Sequence, residues 1–332
     1  MFKSSQAFCL PTIQAMSNIK TASHAQGCML GQFTGDALGS LVEFQSVEAI
    51  ARLYPNGVRT IHDGGTWNTI AGQPTDDSEL ALCLLRTLLE TNDYQQAAVL
   101  KAYQYWLSTN PFDCGLTIRQ SLLGDPNPES QANGALMRIS PLAVFAIHLD
   151  EAKAADYAEQ DARLTHINPV CIQINQLFVL IIRHILLNAG HLTTHAVYDY
   201  LYQLAITRPP DTEIIRVIID AKTTKPTNYV DQQGWVMIAF QNAIWQLLHA
   251  DNFEEAIVDT IMQGGDTDTN AAICGALLGA FYGIDAVPEQ WKLAVLTCQP
   301  DASYDNVIHP RPKYFWPTSL LSLTDKLLAL KS

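Results

Sequence analysis

Two stretches of this chain place a small residue at every fourth position. Gly27, Gly31, Gly35 and Gly39 form one ladder, and Ala271, Gly275, Gly279 and Gly283 form the other. A glycine inside a helix costs roughly 1 kcal/mol relative to alanine, so a repeated series needs a compensating contact. Spacing four keeps the positions near one helix face. A face without side chains lets a second backbone approach closely. The expectation is that both ladders are helical, lie near the centre of the fold and pack against each other. Acidic residues stand beside both ladders, which excludes a membrane dimer face built on small residues.

Helical periodicity runs through the rest of the chain. Residues 78–91 carry Leu80, Leu84, Leu85, Leu88 and Leu89 on one stripe, and similar stripes cover 94–107, 141–148, 172–187, 197–205, 213–221, 235–248, 253–262 and 270–282. Strand signals are sparse. Residues 58–61 read as a short strand or an extended loop, and the absence of strand–helix alternation disfavours a parallel sheet. Breaker clusters at 55–65, 124–134, 209–212, 223–233 and 298–317 are followed each time by more helical pattern, and no period of 20–50 residues repeats. The reading is an all-α chain with a flexible extension at 1–20 and one domain over 21–330.

Hydrophobic residues make up 48 % and charged residues 16 % of the chain, enough apolar material for a large core. Its 20 basic and 33 acidic residues give a net charge of −13, which opposes nonspecific binding of nucleic acid. The densest apolar stretches, 177–187 broken by Arg183 and 271–284 with its glycines, are shorter than the roughly 18 residues of a membrane span. The first twenty residues lack the form of a secretory signal. Seven widely spaced cysteines, with no C-x-x-C pair, read as reduced core thiols, so a cytoplasmic location is expected. The chain is taken to act as a monomer, without a membrane partner.

Against that low-charge background three acidic groups stand out. Asp36 and Glu43 are seven residues apart and share a face if helix continues that far. Thr75, Asp76 and Asp77 directly precede the 78–91 stripe. Gly264, Gly265, Asp266, Thr267, Asp268 and Thr269 directly precede the second ladder. Taken singly, an aspartate or threonine there is an ordinary helix cap. A cap needs one oxygen, however, and the two later groups supply four carboxylates and several hydroxyls. If they converge, their mutual repulsion calls for cations. Hard oxygen donors of this kind suit Mg²⁺ or Mn²⁺ rather than Zn²⁺, and the donor count fits two ions with one carboxylate bridging. His191 and His195 have the spacing of a zinc pair but no glutamate or cysteine beside them, and read as a surface helix end.

The stretches GCMLGQFTGDALGSLVEF, PTDDSELALCL, NPFDCGLTIR, NGALMRISPLA, THINP and QGGDTDTNAAICGALLGAFYG resemble, in content and order, the ADP-ribosylglycohydrolase family. The resemblance implies a compact orthogonal helical bundle with two divalent ions in a cleft. By position, Thr75, Asp76 and Asp77 would hold one ion, Asp266 and Thr269 the other, and Asp268 would bridge them. Glu43 would sit at the second ion or at the substrate linkage. Asn133, Gly134 and Gly115 would line the ADP-ribose pocket, with His166 nearby. Asp113 matches an acidic position of the bacterial branch, whereas Leu116 replaces a residue that tends to be polar there, which leaves the acceptor linkage open.

The implied activity is hydrolysis of the bond between the distal ribose of ADP-ribose and an acceptor, such as a protein arginine or another conjugate. Glu43 or Asp113 would be the acid or base and Asp268 a further catalytic carboxylate. Two other readings compete: a non-catalytic ADP-ribose binder of the same fold, and a metal-dependent phosphoesterase, which would release AMP instead of ADP-ribose.

Overall fold

The structure, a computed structural model, describes residues 13–208 and 211–330. They form fifteen α-helices, and no strand occurs among the described residues. In chain order the first eight are α1 (Ile13–Gly39), α2 (Val47–Leu53), α3 (Asp76–Thr91), α4 (Gln96–Ser108), α5 (Leu116–Leu122), α6 (Ser140–Phe145), α7 (Glu151–Ala162) and α8 (Pro169–Leu187). The remaining seven are α9 (Thr194–Thr207), α10 (Thr212–Asp220), α11 (Val236–His249), α12 (Phe253–Ile261), α13 (Thr267–Tyr282), α14 (Glu289–Thr297) and α15 (Leu320–Leu328).

The two glycine ladders meet as expected. A Cβ on Gly27 would fall 2.3 Å from the Gly279 carbonyl oxygen, one on Gly31 2.2 Å from that of Gly275, and one on Gly35 2.2 Å from that of Ala271. A Cβ on Gly39 would lie 2.5 Å from Asp268 Cα. The order of these contacts makes α1 and α13 antiparallel, so the C-terminus of α1 abuts the N-terminus of α13. Thr267 Oγ1 locks that end by donating to the Gly39 carbonyl at 2.7 Å. The start of α3 is tied to the same place, because Asp36 on α1 accepts from the backbone N–H groups of Thr75 and Ser78.

Two expectations need correction. α1 ends at Gly39, so Glu43 does not share a helix face with Asp36; it follows in a turn. At its other end α1 begins at Ile13, and residues 1–12, with Cys9, lie outside the described residues. α8 has 19 residues and a mean hydropathy of 1.8, long and apolar enough to cross a membrane, although 72 % of that window is buried inside the protein. Asn168 caps it and Pro169 opens it, extending the helix beyond the apolar run that its sequence advertises.

Residues 58–61 resolve as loop. The Gln290 side chain satisfies both the N–H and the carbonyl of Ile61, and Trp291 Nε1 donates to the Arg59 carbonyl, so this backbone needs no partner strand. Five helices carried no expectation: α2, α5, α7, α14 and α15. α7 shows why, since it buries Ala154, Ala155, Ala158 and Ala162 with only one large apolar residue, Tyr157. Within the 209–212 breaker, 209 and 210 lie outside the described residues, and Asp211 caps α10. Cys28, Cys83, Cys171, Cys274 and Cys298 are free and buried, and Cys114 is free and half-buried.

Candidate metal centre

The α1–α13 seam brings the acidic groups together at one end. Asp36 is fully buried and accepts from Thr75 Oγ1 at 2.9 Å as well as from the Thr75 and Ser78 amides. A side chain from another helix therefore caps α3, and Asp76 and Asp77 are released from that duty. At the start of α13 the N-cap residue Asp266 makes no cap bond; its Oδ2 accepts instead from Asn133 Nδ2 at 2.7 Å. Simple capping thus fails to account for Asp76, Asp77 or Asp266.

The third carboxylate arrives through a loop. Phe44 N–H donates to the Gly265 carbonyl at 2.7 Å and Gly265 N–H donates to the Gln45 carbonyl at 3.0 Å. This pairing needs glycine at 265, where φ is +72° and a Cβ would sit 2.2 Å from the Tyr229 carbonyl oxygen. Phe44 itself takes φ +64°, and the turn sets Glu43 against the second acidic group. Carboxylate oxygens of Glu43, Asp266 and Asp268 lie within 4.8 Å of one another. Trp67 Nε1 aims the Glu43 carboxylate with a 2.5 Å hydrogen bond. Across the seam, Thr269 Oγ1 lies 3.3 Å from Asp77 Oδ2.

These carboxylates lack basic partners. Glu79, also in the first turn of α3, is buried against Arg311 at 2.7 Å, and Asp161 against Arg138 at 3.2 Å. No Lys or Arg among the described residues pairs with Asp36, Glu43, Asp76, Asp77, Asp266 or Asp268, all of them buried. Burial, reinforced by neighbouring carboxylates, pushes Glu43 up to about 8, Asp36 to about 7 and Asp76 to about 6. The same causes raise Asp77 and Asp268 well above the carboxylate range, and Asp113 to about 10. Asp77 Oδ1 and Asp268 Oδ2 are buried without a hydrogen-bond partner. Thr75 Oγ1 touches both Asp36 and Asp77, at 2.9 and 3.1 Å, with a single proton to give. Surplus buried acceptors without donors fit hard divalent cations.

A cavity of about 500 Å³ opens onto this centre. Glu43, Asp76, Asp266 and Thr269 face it at one end, and Gly115, Asn133, Gly134 and His166 line it with Asp113. Thr75, Asp77 and Asp268 lie beneath that lining. The structure thus brings every expected site residue to one place. It also gives Asp36 the role of a cap and adds two residues that carried no expectation: Trp67 as guide for Glu43, and Phe44, which lines the mouth with Leu116. Tryptophan and phenylalanine beside an acidic group carry no sequence signature of their own. Gly115 N–H donates to Asp76 Oδ2 at 3.1 Å, tying the α5 loop to the centre. His191 and His195 are exposed and apart from it.

The same arrangement of helices recurs in a solved structure described as an ADP-ribosylglycohydrolase-related protein complex, with TM-score 0.76 and 24 % identity, over 95 % of this chain and 100 % of that one. Residues 17–324 match the model of the ADP-ribosylglycohydrolase family, and the chain belongs to that family. It is accordingly a hydrolase acting on ADP-ribose linkages. A protein of Acanthamoeba polyphaga mimivirus named as an ADP-ribosyl glycohydrolase is 31 % identical over 87 % of this chain and 96 % of its own length. An ADP-ribosylarginine hydrolase of Pseudomonas putida is 27 % identical over 80 % of this chain and 72 % of its own.

Proposed function

We propose that the chain is a Mg²⁺- or Mn²⁺-dependent enzyme that reverses ADP-ribosylation, hydrolysing the bond between the distal ribose and an arginine side chain of a modified protein. The observation that carries this reading is the meeting of two aspartate–threonine segments, with two buried carboxylate oxygens unsatisfied, at the end of a cavity. Thr75, Asp76 and Asp77 would hold one ion, Asp266 and Thr269 a second, Asp268 both, and Glu43 would complete the set. When bound, the ions supply Lewis acidity that orients the ribose diol and activates water.

The protein's own groups do the rest. Glu43 and Asp113 face the cavity and can move protons. Asp113, at the cavity wall beside Asp76, gives a proton to the departing acceptor nitrogen. Glu43, aimed by Trp67, takes one from the attacking water. The carboxylates around them stabilise positive charge developing on the ribose. Among the described residues no Lys or Arg lines the cavity, so the diphosphate is held by neutral donors around Asn133, Gly134 and His166. At the mouth, Phe44 and Trp67 pack edge to face at 6.3 Å beside Glu43 and Asp113. Aromatic faces next to carboxylates suit a planar cation such as guanidinium, and the named activity of the Pseudomonas relative supports the same acceptor.

The test is release of ADP-ribose from arginine-, serine- and base-linked conjugates, with Mg²⁺ or Mn²⁺ and with EDTA. The expected product is free ADP-ribose, from the arginine conjugate first, with activity lost in EDTA and restored by either ion. AMP as product, full activity in EDTA, or no turnover would each contradict the reading.

A further inference from the structure

We infer that Arg138 and Thr165 are positioning residues that fix His166 in the tautomer with its proton on Nε2, turned into the cavity as a donor to a phosphate or ribose oxygen. The inference rests on the reading of that cavity as the ADP-ribose site. Its geometry is independent of the acidic centre.

Arg138 is one of the largest fully buried side chains of the protein. Its guanidinium lies over the Tyr103 ring at 4.5 Å and pairs with Asp161, whose other oxygen accepts from the Tyr103 hydroxyl at 2.9 Å. With its charge balanced there, Nη1 of Arg138 points toward the cavity wall. It donates to the Gly134 carbonyl at 3.1 Å and to Thr165 Oγ1 at 2.8 Å. A guanidinium can only donate, so Thr165 Oγ1 is the acceptor of that bond. Thr165 is fully buried, and among the described residues His166 Nδ1, at 2.8 Å, is the acceptor within reach of its hydroxyl proton.

An Nδ1 that accepts carries no proton, and a neutral imidazole must then hold it on Nε2. His166 Nε2 is buried and has no hydrogen-bond partner, while the residue lines the cavity. Burial and the charge of Arg138 bring His166 down to about 3, so the ring is neutral at ordinary pH. The backbone is held as well: His166 N–H donates to the Ala162 carbonyl at 2.7 Å, and Ser121 Oγ donates to the Thr165 carbonyl at 2.6 Å. The same arginine therefore sets both the Gly134 carbonyl and the ring opposite it. A Cβ on Gly134 would come within 3.1 Å of His166 Cε1.

The test reads the tautomer directly, by ¹⁵N-edited NMR of histidine-labelled full-length protein, with His166 assigned by comparison with His166→Gln. The expected result is a pyrrole-type Nε2 and a pyridine-type Nδ1. In Thr165→Val that preference is lost and ADP-ribose binds about tenfold more weakly, the loss of one hydrogen bond. Thr165→Ser restores both. In turnover the valine variant raises KM with kcat little changed. A proton on Nδ1 in the wild type overturns the inference, as does a valine variant with unaltered ring shifts and affinity. A protein with the expected tautomer but no hydrolase activity would overturn the proposed function and leave the relay standing.

Discussion

Asp36 ends α3 with oxygens drawn from a neighbouring helix, and replacing it by alanine strands the amides of Thr75 and Ser78 in a dry interior. Each such loss costs about 1–3 kcal/mol, so Asp36→Ala is expected to lower the urea midpoint strongly, whereas Asp36→Asn keeps an acceptor and loses less. Equal midpoints for the two variants would contradict the capping role. At the proton-transfer pair, Asp113→Asn removes the proposed donor and should slow release of arginine by about a hundredfold or more. A conjugate with an acidic phenol as leaving group needs no such help, and its hydrolysis should fall far less. Glu43→Gln should slow both substrates alike. The same loss for both substrates in Asp113→Asn would reassign the donor. Sequence alone paired Asp36 with Glu43 as one acidic group; that its oxygens point to another helix is decided by the α1–α3 contact. The partners of His166 were equally hidden, because Arg138, Thr165 and Asp161 come together only when α7 packs beside the Gly134 loop.

At the level of helices, the α1–α13 seam sets the distance between the two acidic segments. A Cβ at Gly275 would lie 2.1 Å from the Gly31 carbonyl oxygen, and no rotamer change relieves a conflict with backbone. Alanine gains about 1 kcal/mol of helix propensity, but forced separation of the helices costs roughly 3 kcal/mol, so Gly275→Ala is expected to be less stable by thermal melting and to lose activity. A variant as stable and active as the wild type would mean that the seam tolerates widening. This seam was legible because each ladder breaks helix propensity repeatedly, and only a close neighbour explains that. The two aspartate–threonine segments were legible because charge is scarce elsewhere. α7 was not, since alanine buries a face without an apolar stripe, and the approach of Glu43 was not, since it depends on a loop that turns at Phe44 with positive φ and clips onto Gly265.

For the molecule as a whole, the acidic centre makes stability depend on pH in an unusual sense. Without ions, Asp76, Asp36 and Glu43 titrate at about 6, 7 and 8 in the folded protein, against roughly 4 in an unfolded chain. The folded state therefore binds these protons more tightly. Their contribution is complete below about pH 4 and is lost as pH rises through 6 to 8. In EDTA the melting temperature should fall between pH 5 and pH 8, and Mg²⁺ should raise it more at pH 8 than at pH 5, because cations then take the place of the missing protons. A melting temperature independent of both would contradict the reading of these carboxylates as uncompensated. The central claim, that two distant segments together hold a pair of cations, is tested most directly by anomalous diffraction from crystals grown with Mn²⁺. Two peaks are expected, one against Thr75, Asp76 and Asp77 and one against Asp266 and Thr269, with Asp268 touching both. A map without density at that end of the α1–α13 seam would contradict the account.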